Sequence, residues 1–170
     1  MDPESATGSQ GDAIEALYAR GVADGLPVVP PTRQRVAQAI AASGCRADEL
    51  IALVPPRYAR ATVEKIAVNA VMAGCRPEYL PAVIAGIEAI CDEDFDLLGV
   101  SGTTDAVAPL LIVNGPTRAA LDINSGVGVF GPGWRDNATI GRALRLIWVN
   151  VGGARPGVIL RACRRKGHAM

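Results

Sequence analysis

Two apolar stripes of helical period stand back to back between residues 62 and 91, and they constrain the fold more than any other feature of the chain. Val63, Ile66, Ala67, Ala70 and Val71 recur at the i, i+3, i+4, i+7, i+8 spacing of a single helix face. Gly74 closes that pattern, and Pro77 sits where the first turn of a second helix tolerates proline. The second stripe runs through Leu80, Val83, Ile84, Ile87 and Cys91. So short a link makes the two helices a hairpin, each with an apolar face that needs a third element to cover it.

A matching third stripe lies far along the chain: Ile140, Ala143, Leu144, Ile147, Trp148 and Val151 predict a helix from about Asn137 to Val151, ended by Gly152-Gly153. Weaker helical patterns cover Ile14, Leu17, Tyr18, Gly21 and Val22, and then Val36, Ala37, Ile40 and Ala41, the latter capped by Thr32 and ended by Gly44. Between them LPVVPPT must be extended, because Pro30 and Pro31 restrict themselves and the residues before them. Leu50–Val54 reads as a short strand, and further strands are expected at Leu97–Ser101 and Pro109–Val113. The expected class is α/β or α+β, a helix-rich single domain over residues 12–160 with a small central sheet of three to four short strands. Residues 1–11 read as a disordered leader and 161–170 as a basic C-terminal tail.

Composition limits what such a domain does. With 49% hydrophobic and 20% charged residues in 170, the chain is globular rather than disordered. Seventeen Lys+Arg balance seventeen Asp+Glu, and aromatics are 4%, which argues against a nucleic-acid partner and against stacking of single strands. No run approaches the roughly 18 apolar residues of a membrane span, and the N-terminus has no signal-peptide pattern, so no membrane partner and a cytoplasmic location are expected. Cys45, Cys75, Cys91 and Cys163 form no CxxC, and neither a zinc pattern nor a dithiol can be read from them; Cys91 continues an apolar stripe and is expected in the core. His168 is alone, which removes a His-based triad.

Three stretches offer chemistry. In NSGVGVFGPGWRDNATIGR, residues 124–142, glycines at 126, 128, 131 and 133 feed a helix whose first turn offers Asp136, Asn137 and Thr139 as caps. Unpaired N–H groups and the positive helix end suit phosphate or carboxylate, with Arg135 and Arg142 adding bidentate contacts. The spacing is neither a P-loop nor GxGxxG, and the same glycines serve equally well in a tight turn. In residues 62–81, Lys65, Asn69 and Met72 share a helix face with Glu64 beside them; Lys65 and Glu64 suit acid–base work if buried, and are ordinary surface charges otherwise. Cys75, next to Arg76 and just before a helix start, suits a nucleophile, or a small buried filler of the hairpin. In residues 99–116, Thr103, Thr104 and Asp105 follow an expected strand and Asn114 ends another, as ligand contacts or as turn residues.

The segments GLPVVPPT (25–32), VPPRYARATVEKIAVNAVMAGCRPEYLP (54–81), APLLIVNGP (108–116) and FGPGWRDNATIGRALR (130–145) resemble the larger domain of the UGSC-type (seleno)protein family, over about residues 20–157. The resemblance implies motif positions at Glu64, Lys65, Asn69, Cys75, Arg76, Glu78, Asn114, Asn124, Ser125, Gly131, Gly133, Asn137, Thr139 and Arg142. No CGSC or UGSC occurs here, so the redox chemistry the family name implies has no residues to stand on. The family domain continues beyond the equivalent of residues 150–157, which implies either a shorter stand-alone version or a partner chain that completes the site.

These readings converge on a subunit of a small-molecule metabolic enzyme of lyase, hydrolase or isomerase type. It is expected to bind an anionic or carbonyl-bearing metabolite at the glycine-rich loop, without cofactor or metal, as a homo-oligomer or with a second subunit. Two alternatives stay open: a non-catalytic partner of a larger enzyme, docking through Pro27–Pro31 and the basic tail, and a thiol-dependent oxidoreductase.

Overall fold

The computed structural model describes residues 10–103 and 107–155. Its elements are α1 (Gln10–Ala19), α2 (Arg33–Ser43), β1 (Leu50–Val54), β2 (Ala59–Thr62), α3 (Val63–Ala73), α4 (Leu80–Ile90), α5 (Leu97–Gly102), α6 (Pro116–Ala120) and α7 (Arg135–Asn150), with single 3₁₀ turns at Pro77–Tyr79 and Glu93–Phe95. The class is α+β, rich in helix, with one two-stranded antiparallel sheet among the described residues. None of the described helices is long and apolar enough to cross a membrane.

The helix hairpin forms where its punctuation places it. The Thr62 hydroxyl accepts from the Lys65 N–H at the start of α3, and Gly74 ends the helix in the left-handed region at φ 93°. Pro77 opens a 3₁₀ turn that runs into α4. The apolar faces of α3, α4 and α7 close on one another: Val63, Ile66, Ala67, Val83, Ile87, Ala143 and Ile147 have no exposed surface. Small residues set the spacing. At Gly86 of α4 a Cβ would lie 3.0 Å from Leu144 Cδ2 of α7, so glycine lets those helices approach closely. Truncating Ile66 or Ile87 to alanine costs about 2–5 kcal/mol, since neither site has room to collapse without leaving a void.

α2 packs on α3, α4 and the Pro77 turn. Ahead of it, residues 24–31 form a strap that bends at Gly25 and Leu26 and runs extended from Pro27. The Val29 N–H donates to the Met72 carbonyl at 3.1 Å, and Val28 is buried. Arg142 of α7 pins the strap: its Nε and Nη2 donate to the two carboxylate oxygens of Asp24 at 2.8 and 2.7 Å, and Nη2 also reaches the Leu26 and Pro27 carbonyls. Val28 is buried against the body, while Pro27 is exposed and Val29, Pro30 and Pro31 are half-buried.

Several expectations need correction. Leu97–Ser101 is helix α5, not a strand, because the Asp96 carboxylate accepts the Gly99 N–H at 3.1 Å and Ser101 Oγ donates back to the Leu97 carbonyl. Residues 109–113 belong to no sheet, for want of a paired strand among the described residues. The second strand is instead Ala59–Thr62, whose ARAT sequence carries little β propensity but folds back onto β1 through the Pro55–Tyr58 turn. α7 begins at Arg135, and its N-cap is Trp134 without a side-chain cap, so Asp136, Asn137 and Thr139 do not cap it. Cys91, placed in the core by its stripe, is half-buried at the end of α4. α1 starts at Gln10, inside the expected leader, while the basic tail, Cys163 and His168 lie outside the described residues.

The strap gives the fold a pH signature. The hydrogen bond from Arg142 holds the Asp24 carboxyl below its ordinary value, and Asp24 in turn raises Arg142. The contribution is present above the unfolded carboxyl value of about 3.9 and is lost as pH falls through the lower folded value. Urea unfolding should find Asp24→Asn less stable than the parent by about 1 kcal/mol at neutral pH, a figure reduced by partial exposure. That gap should close below about pH 4.

Candidate functional site

The end of α3 and the start of α7 meet at one corner of the molecule. Gly74, in its left-handed conformation, turns its carbonyl outward, and Arg135 at the first position of α7 takes it with two donors, Nε at 3.0 Å and Nη2 at 2.8 Å. One residue on, the Cys75 thiol donates to the Thr139 carbonyl at 3.3 Å. Beside this junction lies a cavity of about 480 Å³. Its wall is Val29 of the strap, Arg35, Gln38 and Ala39 of α2, Val71 and Gly74 of α3, the linking Cys75, Arg76 and Pro77, and Arg135 of α7.

Three arginines line this space, Arg35 half-buried and Arg76 and Arg135 exposed at its mouth, and no carboxylate lines it among the described residues. The ion pairs among the described residues are Arg46–Asp48 and Arg142–Asp24, both away from the cavity, so neither involves Arg35, Arg76 or Arg135. Arg35 is aimed by a 3.0 Å bond from Nη1 to the Pro30 carbonyl, and Arg135 by its two bonds to Gly74. Each keeps further donors unused, since a guanidinium carries five. α7 begins here with no side-chain cap, and its first turn carries the buried Asp136, which opposes the positive charge of the helix end. Val29, Ala39 and Val71 provide an apolar floor, and Gln38 provides a neutral polar contact.

The thiol in this cavity is not poised as a nucleophile. Burial pushes Cys75 up to about 11; its bond to Thr139 and the charge of Arg135 oppose that shift without cancelling it. Near neutral pH it is a protonated thiol and a hydrogen-bond donor. Burial also raises Tyr79, against the pull of Arg76 and Arg135. Asp136, which adds to the rise at Tyr79, is 4% exposed, and its Oδ2 accepts no hydrogen bond among the described residues.

Of the residues expected to act, the cavity brings together Cys75, Arg76 and Arg135, with Thr139 behind Cys75 through its carbonyl. Lys65 and Glu64 sit at the other end of α3, about 15 Å along the axis at 1.5 Å per residue; both are exposed, and Lys65 Nζ donates to the Arg60 carbonyl. Asn69 is buried in a different network, donating to the Lys65 carbonyl and accepting from Asn150 Nδ2 at 2.8 Å. Arg142 is committed to the strap. Glu78 and Asn114 are exposed, Thr103 is half-buried at the end of α5, and Thr104 and Asp105 lie outside the described residues.

The glycine-rich loop serves its own closure. The Asn124 N–H donates to Asn137 Oδ1 while Asn137 Nδ2 donates back to the Asn124 carbonyl, both at 3.0 Å, and to Val129 at 3.3 Å. Asn124 also binds within the loop at Gly126 and Val127, and Ser125 accepts from Arg118. Gly131 donates its N–H to the Gly128 carbonyl, and Gly133 holds φ 114°, a turn role that needs glycine.

Arg35 and Gln38 are cavity residues that the sequence did not single out. In RQRVAQ they look like the solvated face of a weakly amphipathic helix, and only the position of α2 over the end of α3 sets them along the cavity rim. Comparison of the chain with protein-family models, with curated proteins and with solved structures finds no match in any of the three.

The state of Cys75 has a direct chemical readout. Iodoacetamide should alkylate it slowly at pH 7, and the rate should climb until pH approaches 11. Peptide mass mapping over a pH series checks this; fast, pH-independent labelling of Cys75 near neutrality would contradict the assignment.

Proposed function

We propose that this chain is the anion-binding subunit of a small-molecule metabolic enzyme, and that its ligand is a small metabolite bearing a phosphate or carboxylate. One observation carries the reading: Arg35, Arg76 and Arg135 line one cavity of about 480 Å³ with no counter-charge among its described lining. Taking three like charges together costs energy unless an anion joins them, and guanidinium forks fit phosphate and carboxylate oxygens in pairs. The volume suits a metabolite rather than a macromolecule. The reading sets the anion site at the helix junction rather than in the glycine-rich loop beside it. A lyase or hydrolase reaction in the cytoplasm remains the expected setting.

A second reading, that another chain completes the enzyme, is favoured by a separate observation. Lys65 and Glu64 are remote from the cavity, and the described cavity wall holds no amine or carboxylate to move a proton. Val127 and Phe130 are 100% and 84% exposed, an apolar surface of the kind that protein contacts cover.

Calorimetric titration with inorganic phosphate and with a small dicarboxylate tests the proposal. Arg76 donates no side-chain hydrogen bond among the described residues, so Arg76→Gln removes charge without touching the scaffold. It should weaken binding about 10- to 100-fold, the worth of one to two charge-assisted hydrogen bonds, while Arg46→Gln leaves binding unchanged. Equal losses in both variants, or no saturable binding to the parent, would refute it.

A further inference from the structure

α7 carries a glycine in its interior for which the rest of the chain supplies no packing reason. Gly141 lies well inside the 16-residue helix, where glycine is a poorer choice than alanine. A Cβ added there meets no other atom within 4 Å, in contrast to Gly86, where Leu144 closes the space. Gly141, Leu144, Arg145 and Trp148 follow one another at i, i+3, i+4 and i+7, which makes them one face of α7 about 10 Å long. Over this face opens a slot of about 390 Å³. Its other walls are Ile90 at the end of α4 and Val107, Ala108 and Pro109, with Val107 and Ala108 exposed at the lip. Arg145 is the one charged group among the described lining. Trp148 spends its polar atom elsewhere: Nε1 donates to Ser101 Oγ at 3.0 Å, so the part of the ring left to the slot is hydrocarbon.

We propose that this slot binds a small apolar monocarboxylate, its hydrocarbon body laid against the bare backbone at Gly141 and its carboxylate on Arg145. Charge complementarity selects that occupant. The Arg145 guanidinium lies 4.8 Å from the centroid of the Trp148 ring, and a guanidinium stacked on a ring keeps its in-plane N–H donors for another partner. Arg145 belongs to neither ion pair of the described residues, and no carboxylate of theirs lines the slot. One guanidinium matches one carboxylate in a forked pair, whereas a phosphate dianion would bring a second charge against Ile90, Leu144 and Pro109 with nothing to balance it. A volume of this size suits a small molecule. Gly141 then has its reason, since any side chain there would stand where the ligand body lies. The proposal does not depend on the anion cavity.

Titration of the full chain with hexanoate and with 1-hexanol, followed at the Trp148 indole Nε1–H resonance, tests it. Hexanoate should shift that resonance saturably, and 1-hexanol should bind about 10-fold more weakly for want of the charge-assisted contact. Arg145→Gln should bring hexanoate down to the affinity of 1-hexanol and leave 1-hexanol little changed. Gly141→Leu should abolish binding of both, yet melt no lower than the parent, because leucine propagates a helix better than glycine; a folding defect would lower the melting temperature. Arg76→Gln should leave every one of these results in place, which separates the slot from the anion cavity. A Trp148 resonance that stays silent at millimolar hexanoate overturns the proposal, whether the slot is empty or already covered by residues 156–170 or by a second protein. So do equal affinities for hexanoate and 1-hexanol, or binding that survives Gly141→Leu.

Discussion

α3 and α7 pack antiparallel through residues small enough to let their backbones approach, with Ala67, Ala70 and Ala143 essentially without exposed surface. That packing sets the end of one helix against the start of the other, so the Gly74 carbonyl meets Arg135 and Cys75 meets Thr139. Helix ends leave unpaired backbone groups of opposite sign, and here each end supplies what the other lacks. Arg135 satisfies the exposed carbonyl and is held in place by it, at the mouth of the cavity. A larger side chain at the alanine positions would part the helices and unseat the arginine, so the charge of the cavity rests on the core beneath it.

The strap is the second constraint. Prolines 27, 30 and 31 make it a stiff extended segment with few donors of its own, so other elements must take its carbonyls. Arg142 takes those of Leu26 and Pro27, and Arg35 takes that of Pro30. Two arginines that look equivalent in the sequence thus have different fates. Arg142 is neutralised by Asp24 and becomes part of the scaffold, whereas Arg35 meets only a carbonyl and keeps its charge for the cavity.

The helices were legible in the sequence wherever a stripe coincided with a stop. Thr32, Gly44 and Gly74 bound their helices as expected, because cap and period point to the same boundaries. The strands were less legible. LLGVSG is too short for period to separate helix from strand, and the Asp96 cap decides it; ARAT is a strand only because the preceding turn lays it on Leu50–Val54. The candidate site was half legible. Cys75 and Arg76 lie at a visible break between helices, but Arg35 and Gln38 belong to the cavity through a tertiary contact that leaves no local pattern. Arg142 and Asn137 drew attention for a chemistry their hydrogen bonds already spend on structure.

The anion cavity is tested most directly by following arginine Nε–Hε resonances in the full chain during titration with inorganic phosphate. Arg35, Arg76 and Arg135 should shift together and saturate at one common dissociation constant, while Arg142 and Arg46, each already paired with an aspartate, stay in place. Shifts spread evenly over all five, or the absence of saturation at any of the three, would contradict an anion site at the α3–α7 junction.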